Sequence, residues 1–156
     1  MTSARMGRQY IEEARARMEM VEIAIQKRLS SVVVREVQEC VELFLKGALR
    51  LVGVEPARTH DPAEILLREA TRFPEWFQSQ VGFLASISTE LAGDRGLAFY
   101  GDERQEIGPQ DLFDGADAER AAGNMRFVAA LCIRLLQESG ACNAGDASTG
   151  REATGA

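Results

Sequence analysis

Residues 36–61 read EVQECVELFLKGALRLVGVEPARTHD. Val37, Val41, Phe44, Leu45 and Ala48 recur at steps of three and four, so the segment opens as a helix with one apolar face. Gly53 then stands as a C-terminal stop, with Pro56 just beyond it. The only histidine, His60, follows beside Asp61. Asp61 has the position of an N-cap, Pro62 of a first helical residue and Glu64 of the capping-box partner, so a new helix is expected there. A long amphipathic helix, a break and a restart together point to a helical bundle.

Working outward, the same period gives five helices. The first covers about 5–28, with Ile11, Ala14, Met18, Val21 and Ile25 on one face. Ser30-Ser31 interrupts it, and the second covers about 31–52. Its opening Val32-Val33-Val34 has strand propensity, but three residues do not outweigh the helical period that follows. The short third helix runs from Pro62 to about Ala70. Pro74 restarts a fourth, which carries Val81, Leu84, Ile87, Ser88 and Leu91 inward, and Gly93 and Gly96 weaken its end. Residues 101–114 read as a loop. The fifth helix covers about 116–138, with Ala118, Ala122, Met125, Val128, Ala129, Cys132 and Leu136 facing the core. The expectation is an all-α fold, an antiparallel up-and-down bundle of four long helices and one short one over residues 5–139. Residues 140–156, small and polar without a period, read as a disordered tail.

A chain of 156 residues suits one domain, and 46% hydrophobic with 27% charged content is ordinary for a globular protein. No run nears the roughly 18 apolar residues that span a bilayer, and the first twenty residues lack the apolar core of a secretory signal, so the cytoplasm is expected. Three cysteines without metal-ligand spacing, and a single histidine, argue against a metal site. No cofactor is expected. A net charge of −6 opposes tight non-specific binding of nucleic acid, which depends on clustered cations at the phosphates.

Three stretches then carry a family resemblance. The first is VQECVELFLKGALRLVGVEPARTHD, with polar Gln38, Glu42, Lys46, His60 and Asp61. The second is Arg95 with LAFYGDE at 97–103, including Tyr100, Gly101 and Asp102. The third is IGPQDLF at 107–113 followed by DAERA at 117–121. In order and spacing they resemble a HEPN domain of the prokaryotic stand-alone type. The resemblance implies a small cytoplasmic helical bundle that forms a homodimer and binds nucleotide. It also implies a minimal nucleotidyltransferase as partner, in a toxin–antitoxin pair. Some HEPN proteins are metal-independent ribonucleases with an Arg-x4-6-His motif at the last helix. That motif is absent: Arg58 and Arg50 stand at other spacings from His60, and the last helix has no histidine. The expectation is a non-catalytic interaction module.

The candidate contacts for a nucleotide or RNA ligand are Lys46, His60, Arg95, Tyr100 and Asp102. Lysine and arginine bind phosphate, tyrosine stacks on a base, and an imidazole handles protons. Each also has a plain structural reading. Lys46 lies one step off the apolar stripe, where its stem packs and its ammonium snorkels. His60 suits a helix terminus, Tyr100 the end of the bundle and Asp102 a turn. Asp61 and Glu64 read as structural caps. Trp76 and Phe77 read as buried aromatics. Arg120, Arg126 and Arg134 could form a basic edge, but Glu119 and Glu138 interrupt it. The alternative function is a diverged ribonuclease toxin using His60, Arg95 and Tyr100.

Overall fold

The computed structural model describes residues 4–146. They form α1 (Ala4–Gln26), α2 (Ser30–Leu51), α3 (Ala63–Arg68), α4 (Glu75–Gln78), α5 (Val81–Tyr100), α6 (Pro109–Leu112) and α7 (Gly115–Asp146), with a 3-10 turn at Ala70–Arg72. Four helices are long, and no strand occurs among the described residues. The all-α bundle expected from periodicity is present. No helix is long and apolar enough to cross a membrane.

α2 is the central element, packing on α1, α7 and α5. Its composition explains that position. Val33, Val34, Val37, Cys40, Val41, Phe44, Leu45, Ala48 and Leu49 are all buried, covering more of the helix circumference than a single stripe. A helix that is apolar over so much of its surface must be covered on several sides. α1 is narrower, burying Ile11, Ala14, Val21 and Ala24 toward α2. The α1–α2 backbones approach closely at Gly7 and Gly47, where a Cβ on Gly47 would stand 2.9 Å from the Gly7 carbonyl oxygen and 2.7 Å from Ile11 Cγ1.

The helix ends show where local rules decide. α1 and α2 are joined by a Schellman turn: Leu29 N–H donates to the Ala24 carbonyl at 3.0 Å, and Arg28 N–H to that of Ile25 at 2.9 Å. The break therefore falls at Lys27–Leu29 rather than at the serines, and Ser30 is already helical. Arg28 takes the left-handed position with φ 56°, where glycine is usual and a side chain costs roughly 1 kcal/mol. At the other end of α2, Gly53 occupies the same position with φ 82°, as expected, and Val54 N–H closes the turn on Leu49. α7 begins with a reciprocal cap in which Asp114 and Asp117 each accept the other's backbone N–H at 2.9 Å.

Several boundaries differ from expectation. α3 starts at Ala63, one residue later than Asp61 as N-cap would place it. The helix restarted by Pro74 is two pieces, α4 and α5, separated at Ser79–Gln80. Gly93 and Gly96 do not end α5. It continues to Tyr100, because burial of Leu91 and Ala98 offsets the roughly 1 kcal/mol that each glycine costs. Part of the 101–114 loop is helical as α6, which Pro109 opens. α7 continues through Asp146, past the end its apolar period suggested, and residues 147–156 of the tail lie outside the described residues.

The segment 63–80 closes the bundle. Phe77 is fully buried and stacks on Phe73 with ring centroids 4.4 Å apart. Trp76 meets the Phe77 ring edge-on, lies under the Arg134 guanidinium at 3.9 Å and donates from Nε1 to Glu138 at 2.9 Å. These contacts tie α4 to α7. Cys40 and Cys132 are buried free thiols, and burial, helped by Glu36, pushes the Cys40 thiol up to about 12. Neither is an available nucleophile.

Gly47→Ala should destabilise the fold by about 1–3 kcal/mol through α1–α2 overpacking, read as a lower urea midpoint with an unchanged slope.

Candidate functional site

The polar edge of α2 follows helical steps: Arg35, Gln38, Glu39, Glu42 and Lys46 stand three or four residues apart, so their side chains meet. Glu42 is the branch point. One carboxylate oxygen accepts from Lys46 Nζ at 2.8 Å. The other accepts from Gln38 Nε2 at 3.0 Å and lies 3.2 Å from His60 Nδ1. Gln38, only 2% exposed, also donates to the His60 carbonyl at 3.3 Å, and its own oxygen accepts from Arg95 on α5. Glu39 accepts from Arg17 of α1 and from Arg35, each at 3.1 Å, and lies 3.7 Å from Arg95. Three helices and the 52–62 loop are thereby joined through one polar seam.

The loop is anchored on its other side by Asp61. Its Oδ1 accepts from Ala63 N–H at 3.0 Å and from Ser88 Oγ at 2.7 Å, and its Oδ2 accepts from Thr89 Oγ1 at 2.9 Å. Asp61 thus bonds the first turn of α3 from one position outside it and also fastens the loop to α5. No hydrogen bond from Glu64 completes a capping box among the described residues.

His60 and Arg95 come together. With Arg17, Glu39, Glu42 and Leu43 they line an open groove of about 210 Å³. The groove carries two arginines and two carboxylates, so its charge is internally balanced. His60 is well exposed at the rim. The other three candidate contacts are elsewhere or already engaged. Lys46 is held on Glu42. Tyr100 is 67% exposed and packs edge-on against Phe99, with centroids 4.6 Å apart. Asp102 accepts from the backbone N–H groups of Arg104 and Gln105 at 3.0 and 3.1 Å and from Gln105 Nε2 at 2.9 Å, closing its own turn. Sequence reasoning missed Arg17, Glu39 and Thr89, and placed Ser88 only on the apolar stripe. The readable signal was the run of i,i+4 partners Arg35–Glu39 and Gln38–Glu42–Lys46. Among the described residues no group of three or more His, Cys, Asp or Glu is placed to hold a metal ion.

Burial alone would raise the Glu42 carboxyl. Hydrogen bonds from Lys46 and Gln38, the Lys46 charge and the His60 contact outweigh it, and the group is held below its ordinary value of 4.5. With the folded value depressed, the unfolded chain binds the extra proton. The stabilisation is full above about pH 4.5 and is lost as pH falls through the folded value. Glu42→Gln should therefore lower stability at pH 7 by about 1–2 kcal/mol and flatten the acid side of the stability profile in pH-dependent urea melts.

With the geometry established, comparison with known proteins gives a single result. A family model described as HEPN domain matches residues 8–136. No curated protein and no solved structure matches the chain. The family match runs from the first turns of α1 to the last buried leucine of α7, so it takes in the whole core and the polar seam on α2. This chain belongs to the HEPN domain family.

Proposed function

We propose that this HEPN protein is a non-catalytic interaction module that acts as a homodimer and pairs with a minimal nucleotidyltransferase, in the manner of a toxin–antitoxin pair. The observation that carries the reading is the state of the cations along the polar seam. Lys46 is bonded to Glu42, Arg17 to Glu39, and Arg95 to Gln38 with Glu39 nearby. A phosphate would have to displace these partners, so the seam is better suited to holding the bundle together than to phosphoryl chemistry. The single imidazole sits on the loop before α3 and contacts a carboxylate, away from the last helix that carries the ribonuclease motif in other family members.

The outward side of α5 supports the interaction role. This helix has only three charged residues, Glu90, Asp94 and Arg95, and leaves Phe83, Leu97, Phe99 and Tyr100 exposed. Leu97, Phe99 and Tyr100 lie close in sequence at the C-terminal end of this helix, and contiguous exposed apolar side chains mark protein contacts. The partner class rests on the family resemblance. Nucleotide is a secondary ligand in this reading, since using Arg95 and Lys46 would mean breaking existing ion pairs.

In sedimentation equilibrium the chain should have twice its monomer mass at tens of micromolar, and Phe99→Asp with Tyr100→Asp should yield monomer. A wild-type monomer at that concentration would remove the dimer. Mixed with a minimal nucleotidyltransferase encoded beside it, the chain should co-elute stoichiometrically, and separate elution at low salt would remove the partner.

One observation favours a ribonuclease as second reading: His60 and Arg95 line the same groove. That version requires metal-independent RNA cleavage that disappears in His60→Ala, and cleavage surviving the substitution would sink it.

A further inference from the structure

A groove of about 480 Å³, sharing no residue with the His60 groove, lies between the α1–α2 turn and the first turns of α7. Its size falls in the range of small-molecule sites. Ile25, Leu29, Val33 and Ala118 supply an apolar lining, with Leu29 still 39% exposed. Arg28 and Glu119 supply the charges.

Two features bear on what this groove accepts. Arg120, the neighbour of Glu119 on α7, is engaged with Glu90 and Asp117. Arg28 and Glu119 line one groove, yet they pair neither with each other nor with any other described residue. They are opposite charges lining one groove together with Ile25 and Leu29. The second feature is the identity of residue 28. It occupies the left-handed position of the Schellman turn, with φ 56°, where glycine fits without strain. The turn does not require a guanidinium there, whereas a groove that recognises an anionic group does.

We propose that this groove binds a small aliphatic zwitterion, with the carboxylate on Arg28, the ammonium on Glu119 and the connecting methylenes over Leu29 and Ile25. Each charge of such a ligand meets a partner of opposite sign, and its apolar stem covers the exposed Leu29 and the half-buried Ile25. A simple fatty anion would leave Glu119 opposed to apolar atoms or to like charge, and a simple amine would do the same for Arg28.

Three probes of equal chain length test this: 6-aminohexanoate, hexanoate and hexylamine, titrated into the full chain and followed by amide chemical shifts. 6-Aminohexanoate should shift amides around residues 25–33 and 115–119 and saturate at millimolar concentration. Each singly charged probe should bind at least about ten-fold more weakly, the loss of one charge-assisted contact. Arg28→Gly should abolish saturation yet melt about 2–4 °C higher than wild type, because glycine relieves the left-handed strain. Glu119→Gln should weaken binding without moving the melting temperature. No shift with 6-aminohexanoate, equal binding of all three probes, or unchanged binding in Arg28→Gly would each overturn the proposal. The melting readout shows that a loss of binding is not a loss of fold.

Discussion

The side-chain amide of Gln38 is buried in the middle of the molecule's central helix, and it is satisfied by three different parts of the chain. Its nitrogen donates to Glu42 one turn on and to the His60 carbonyl in the loop, while its oxygen accepts from Arg95 on α5. A buried amide left without partners costs on the order of 1–3 kcal/mol, more than a typical hydrogen bond contributes. The loop before α3 and the outer helix α5 are therefore held in the one arrangement that satisfies it. Asp61 completes the constraint from the other side by binding Ser88 and Thr89. Between these two anchors the 52–62 loop has little freedom to move relative to α2 or α5.

This constraint governs what the His60 groove is able to do. Its cations and carboxylates neutralise one another along the seam, and they are partly buried, where screening by salt is weak. Such a network gives specificity to the packing of three helices, since each charge has a partner from another turn or element. It does not present a free cation to a passing phosphate. The exposed aromatic side chains Phe83, Phe99 and Tyr100 lie on α5, and Arg35 of the seam stacks over the Phe99 ring at 4.5 Å.

The core was legible in the sequence because period and burial obey the same geometry. Ile11, Ala14, Val21, Phe44, Leu45, Leu84, Met125 and Cys132 are all buried where the 3.6-residue pattern put them inward. Helix ends were less legible, for two reasons. Gly93 and Gly96 are breakers by propensity, but packing of the residues around them carries α5 onward. Arg28 is no breaker by propensity, yet it takes the left-handed position because the turn leaves no other place for the chain. Of the polar site, Gln38, Glu42 and Lys46 could be picked out, since they share one helix and its spacing. Arg17 and Thr89 could not, because the contacts that join them to the site, Arg17 to Glu39 and Thr89 to Asp61, reach a different element.

The sequence by itself determined the class of fold, the number of long helices, the inward faces and the family, since all of these follow from local periodicity and from motifs read in order. Tertiary structure alone decided which polar groups meet. It turned Asp61 from a simple cap into a clasp on α5, set Lys46 on Glu42, brought His60 beside Arg95 and left Tyr100 outside their groove. Those outcomes depend on the rotation of each helix about its axis and on satisfying buried hydrogen bonds between elements. Neither quantity is written in the spacing of residues along one chain.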